Sequence, residues 1–127
     1  MIVRKIATLA AATCALAYAQ TAQNIATGRQ PMAIAVNEAT NRAYIVNHNS
    51  GSVTVVDGST HAVSATVKVG SGPEAAAVNP QTNRVYVANS GESSVTVIDG
   101  STGPVLATVR TGSNCNAIAV NPATNKI

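Results

Sequence analysis

The chain has no phenylalanine and no tryptophan, and aromatics make up only 2% of its 127 residues. Large aromatic side chains carry much of the packing in most cores. Their absence leaves Val, Ile, Ala and a few tyrosines, and the β-branched members of that set favour strands. Cysteine is almost as scarce. Cys14 lies in the apolar start of the chain, which leaves Cys115 alone and excludes an internal disulfide framework. Charged residues are only 10% of the chain, so any large strand-rich face it exposes carries few groups to discourage association.

The small excess of positive charge, net +3, belongs mostly to the first residues. Arg4 and Lys5 precede an apolar run over residues 6–19 that ends Ala17-Tyr18-Ala19 before Gln20. This is the order of parts in a secretory signal peptide, here residues 1–19, with cleavage after Ala19. The run has 14 residues, and a membrane span needs roughly 18. A lipid anchor at Cys14 is the lesser alternative, because Thr13 before it fits such signals poorly. Cleavage leaves Arg29, Arg42, Lys68, Arg84, Arg110 and Lys126 against Glu38, Asp57, Glu74, Glu92 and Asp99, six minus five, or +1. Nucleic acid is therefore not an expected partner, and no membrane span is expected once the leader is removed.

What the chain does have is a repeat. Residues 31–72 and 73–114 agree at 24 of 42 aligned positions, and the same pattern begins again at residues 115–127. Repetition at such a period makes each unit one supersecondary element that buries its faces against its neighbours. Within the first unit, residues 33–36 are a short apolar run closed by Asn37-Glu38-Ala39-Thr40-Asn41, whose counterparts begin at Asn79 and Asn121. Asn, Pro and Thr at these places are turn residues. Residues 42–47 form a second strand, 53–57 a third and 62–69 a fourth, separated by Asn49-Ser50-Gly51-Ser52 and Gly58-Ser59-Thr60. Tyr44 and Val46 share one face of the second strand and Ala43 and Ile45 the other, so it expects cover on both sides. Period, strand count and two-sided burial predict an all-β fold of four-stranded antiparallel β-propeller blades.

The motif Asn-Arg-x-Tyr-x-x-Asn at Asn41 to Asn47 and Asn83 to Asn89 resembles the YVTN (YncE-like) β-propeller repeat. So does Val-Thr-Val-(Val/Ile)-Asp-Gly-Ser-Thr after it, and so does Gly-x-x-Pro at Gly70 to Pro73. Val85-Tyr86-Val87-Ala88-Asn89 departs from the family's name only in having Ala88 for Thr. The resemblance covers residues 31–127 and implies secreted or surface-associated bacterial or archaeal propellers, with no defined chemistry attached.

Aligning Gly28 with Gly70 and Gly112 places residues 20–30 in the slot of a blade's last strand. The expected organisation is therefore that leading strand, blade repeats at 31–72 and 73–114, and the first strand of a third blade at 115–127. A propeller closes with about four to eight blades. Two full repeats fit a fragment of a longer protein, a truncated reading frame, or a short protomer that self-associates through exposed blade faces.

Side chains suited to chemistry are few. His48 and His61 are replaced by Ser90 and Gly103 in the second repeat, and no His or Cys stands at ligand spacing beside them, so no metal site is expected. Asp57 and Asp99 recur before Gly-Ser-Thr and read as turn-capping residues, not as an acid–base pair. Glu38, Glu74 and Glu92 have no acidic counterpart in the other full repeat. No serine has a nucleophile-elbow context. Gly70-Ser71-Gly72 and Gly112-Ser113-Asn114 precede no helix that would cradle a phosphate. Asn41, Asn47, Asn83 and Asn89 bond turn backbone or, as a functional alternative, ring the mouth of a channel. Cys115 reads as a small buried residue at a blade start, or as an intermolecular thiol.

The expected function is that of a secreted, periplasmic or cell-surface propeller scaffold binding protein or cell-surface glycan. No catalytic residue or cofactor is assigned. The alternative is a segment of a lactonase-like or quinoprotein-like propeller enzyme whose site lies outside these residues.

Overall fold

The computed structural model of the protein describes residues 22–127. The expected leader, with Ala17, Ala19 and Gln20, lies outside the described residues. Eight strands follow one another: β1 (Pro31–Asn37), β2 (Arg42–Asn47), β3 (Ser52–Asp57), β4 (Ala62–Lys68), β5 (Pro73–Asn79), β6 (Arg84–Asn89), β7 (Ser94–Asp99) and β8 (Val105–Arg110). They form two sheets ordered β1-β2-β3-β4 and β5-β6-β7-β8, each an antiparallel meander matching one expected blade. Among the described residues no helix is long and apolar enough to cross a membrane.

The turns show why this sequence repeats its backbone. Asn41, Asn83 and Asn125 adopt φ of 52°, 51° and 54°, and asparagine is among the few side chains that accept the left-handed region readily. His61 and Gly103 share a second such place, at 56° and 87°, and Gly51 and Ser93 a third, at 56° and 52°. Irregular pairing recurs too, at Pro31/Ala33 and Pro73/Ala75 and again at Val55/Val56 and Val97/Ile98. Identical bulges at identical phases keep the side chains of both blades in one alternation of faces.

That alternation decides what is buried. In blade 1, β2 sets Tyr44 opposite Val55 and Val46 opposite Val53, and Val53 faces Val67 on β4. These five make one face, here called the back. In blade 2, Val85 lies opposite Ile98 on the other face, the front, which also carries Val87. Back of blade 1 and front of blade 2 meet in a single core of Tyr44, Val46, Val53, Val55, Val67, Val85, Val87 and Ile98, flanked by Ala33, Ala65, Val69, Ala76 and Val78. The core is therefore a seam between blades, and neither sheet has a core of its own.

The two outer faces differ from the expectation of cover on both sides. Ile34 and Val36, on the front of blade 1, are 66% and 59% exposed. On the back of blade 2, Val109 is 54% exposed, whereas its counterpart Val67 is 8% exposed in the seam. The flanking segments expected as strands also differ. Residues 22–28 and 113–120 carry no strand ladder, and among the described residues no strand pairs with them. They nonetheless keep the phase of the repeat. Gly28 stands against Asn47 as Gly70 stands against Asn89, and His48 N donates to Gln30 O as Ser90 N does to Gly72 O, both at 2.9 Å. Residues 121–126 turn through a lone Asn121–Lys126 bridge.

Candidate functional site: the seam between the blades

The polar residues of the repeat converge on the two ends of the seam. At the end formed by the β1–β2 and β3–β4 turns, β2 of blade 1 projects Arg42 and Tyr44 across to the turn after β7. Arg42 Nη1 donates to Gly100 O at 2.6 Å and to Ser101 O at 2.9 Å, and Tyr44 OH donates to Gly100 O at 3.1 Å. Beside them Asn37 Nδ2 donates to Asn83 Oδ1 at 2.9 Å. Burial pushes the Tyr44 phenol above its ordinary range, with Arg42 opposing the shift, so the hydroxyl stays a neutral donor. A small recess runs along this line between Tyr44, Ser64, Asp99, Thr102 and Gly103.

Asp57 and Asp99 close turns, as their Gly-Ser-Thr context predicts. Asp57 Oδ1 accepts from Ser59 N and Thr60 N at 2.7 and 3.1 Å. Those donors hold its carboxyl below the usual range; for Asp99 the Ser101 hydroxyl leads, followed by Ser101 N. Both residues are half-buried, and their carboxylates bond within their own turns.

The amide expectation needs correction. Asn47 and Asn89 are fully buried, so they ring no channel mouth, and they bond across to the next strand instead of to turn backbone. Asn47 Nδ2 donates to Ser52 Oγ at 3.3 Å and Thr54 Oγ1 at 2.9 Å, and Asn89 repeats this with Ser94 and Thr96 at 3.0 and 2.9 Å. Their Oδ1 atoms are buried without a partner. The side chains that do cap turn backbone are Asn37, Asn79 and Asn121, whose Oδ1 atoms accept from Ala39 N, Gln81 N and Ala123 N, each at 3.1 Å. The recurrence of asparagine at 37, 79 and 121 was the signal for that role.

The residues that differ between repeats lie elsewhere. Glu38 and His61 are exposed on turns. His48 is half-buried, with Nδ1 3.3 Å from Pro73 O. Glu74 and Glu92 accept from Ser90 Oγ and Ser94 Oγ, at 2.8 and 2.9 Å. Cys115 is half-buried and unpaired in a disulfide. Among the described residues no three His, Cys, Asp or Glu side chains gather as a metal ion would require.

Two four-stranded antiparallel blades joined face to back by one seam define a β-propeller segment. No family model matches the chain, and no curated protein does. Solved structures do. Hydrazine synthase of Kuenenia stuttgartiensis aligns with 76% of this chain and 27% of its own at 30% identity, with a TM-score of 0.64. AztD from Citrobacter koseri aligns at 17% identity over 72% of this chain and 27% of its own, with a TM-score of 0.63. The Cps50 (Swd1) β-propeller domain of Myceliophteria thermophila aligns at 15% identity over 72% and 29%, with a TM-score of 0.62. The chain spans between a quarter and a third of the length of these structures, and the likeness is one of propeller fold.

Proposed function

We propose that the chain is a propeller scaffold of the YVTN, YncE-like kind, exported by its leader and presenting its turns to an extracytoplasmic protein or glycan. The supporting observation is how the polar residues divide. Those repeated in both blades hold the fold at Asn37 and Asn79, at Asn47 and Asn89 and at Asp57 and Asp99, and Arg42 does so across the seam. Of those that vary, Glu38 and His61 stand exposed on turns where they can discriminate between partners without disturbing the seam.

Two measurements test this reading. N-terminal sequencing of the exported protein should begin at Gln20, and a cytoplasmic product starting at Met1 would refute export. Binding to a glycan array and to a panel of cell-surface proteins should be weakened by Glu38→Lys and His61→Ala with an unchanged far-ultraviolet circular dichroism spectrum. Turnover of a lactone or a quinone-linked substrate, abolished by one substitution at a non-repeated polar residue, would replace the scaffold with an enzyme.

A further inference from the structure

The seam inside the chain is a template for a second contact. Blade 1 offers its back to the front of blade 2, and the same two surfaces remain outward at the ends of the molecule. The front of blade 1 carries Ile34, Val36 and Ile45 where blade 2 places Ala76, Val78 and Val87 in the seam. The back of blade 2 carries Arg84, Tyr86, Val95, Val97 and Val109 where blade 1 places Arg42, Tyr44, Val53, Val55 and Val67. The polar lock is duplicated as well. Arg42 and Tyr44 reach Gly100 O and Ser101 O, whereas Arg84 is exposed and neither it nor Tyr86 has a carbonyl partner of this kind among the described residues. The residues one repeat back from Gly100 and Ser101 are Gly58 and Ser59, in the turn between β3 and β4 of blade 1.

We infer that this protein self-associates head to tail, the back of blade 2 in one copy receiving the front of blade 1 in the next. Arg84 then donates to Gly58 O and Ser59 O of the second copy, Tyr86 OH donates to Gly58 O of that copy, and Val109 is buried as Val67 is. A contact between two different surfaces leaves one of each free after every addition until a ring closes, so it builds closed rings or open chains.

Two segments stand in the way. The first is residues 22–28 on the front of blade 1, where Gly28 lies against Asn47 as Gly70 does against Asn89 and must yield to β8 of the neighbouring copy. The second, residues 115–127, lies over the inner part of the back of blade 2, where Asn79 Nδ2 donates to Asn125 Oδ1 at 2.8 Å, copying the 2.9 Å bond from Asn37 to Asn83. Ile127 lines one cavity together with Tyr86, Val95, Val97 and Val109. This segment has no strand ladder and is exposed along most of its length, so it opens at little cost. It acts as a placeholder that the incoming β1 displaces, and Asn41 of the second copy takes the place of Asn125 as the partner of Asn79.

The test is the solution mass of the protein by light scattering after size exclusion across a hundredfold concentration range. The wild-type chain should give species of two or more copies. Ile34→Lys spoils only the front and Val109→Lys only the back, and both sites are exposed, so both variants should fold. Each variant alone should remain monomeric, and an equimolar mixture should give a dimer and nothing larger. Arg84→Ala should weaken assembly by about ten- to a hundredfold, the loss of a charge-assisted bond. Removing residues 115–127 should strengthen it. A wild-type monomer at every concentration overturns the inference. So does a Val109→Lys variant that still dimerises, since that would mean front-to-front pairing.

Discussion

Replacing Tyr44 by phenylalanine removes one hydroxyl from the seam and leaves every apolar contact of the ring in place. Tyr44 is 1% exposed, and its hydroxyl donates to Gly100 O at 3.1 Å. The same carbonyl also accepts from Arg42 Nη1 at 2.6 Å, so the substitution orphans no acceptor. The expected loss is therefore the net value of one neutral bond, about 1 kcal/mol, and not the larger penalty of a buried unpaired group. Tyr86 supplies the control. It is the repeat-equivalent residue at 5% exposure, but its hydroxyl meets no such carbonyl among the described residues. Tyr86→Phe should change stability by less than about 0.5 kcal/mol. The assay is equilibrium urea unfolding of both variants in an Ile34→Lys background, which keeps association out of the comparison. Equal losses at the two tyrosines would refute the reasoning, because the hydroxyl would then be working within its own blade and not across the seam.

The seam should respond to truncation where the outer face does not. Ile98→Ala, at a fully buried site, should cost about 2–5 kcal/mol, whereas Ile34→Ala should stay within about 0.5 kcal/mol, both read from thermal or urea midpoints. His61 holds a φ of 56° where the other blade has Gly103, so His61→Gly should stabilise the monomer by about 0.5 kcal/mol once the extra freedom of glycine in the unfolded chain is subtracted; a lower midpoint would refute that. Acid should weaken the turns. The folded-state carboxyls of Asp57 and Asp99 titrate below the ordinary value of 3.8, so their contribution is complete above that value and is lost as pH falls through the lowered ones. The unfolding midpoint should drop between about pH 5 and pH 2, and the drop should shrink in an Asp57→Asn, Asp99→Asn variant.

Much of the blade was legible before any coordinates. Turn residues at fixed offsets placed β2 at residues 42–47 without error and the other strands within a residue or two, because asparagine and glycine at left-handed positions leave the backbone little choice. The role of the aspartates was legible for the same reason, since a carboxylate two residues before a free backbone N–H is a local device. The amides were misjudged because their partners are not local in sequence neighbourhood alone. Asn47 finds Ser52 and Thr54 through strand pairing, and Asn37 finds Asn83 only once the blades are stacked. Arg42 was indistinguishable from an ordinary strand-starting arginine until the seam brought Gly100 to it from 58 residues away.

The sequence by itself determined the period, the strands, their turns and the alternation of faces, all of which follow from backbone preferences acting over a few residues. Which apolar face is buried was decided only by the tertiary structure. Front and back are both apolar along β2 and β6, and periodicity of two treats them alike. Stacking one blade on the other buries Tyr44 and Val67 while leaving Ile34 and Val109 in solvent, because a face loses its water only where a complementary blade lies against it. The same stacking supplies the carbonyls of Gly100 and Ser101 to Arg42 and Tyr44, and sets apart Arg84 and Tyr86 as the equivalent pair with that bond still to make.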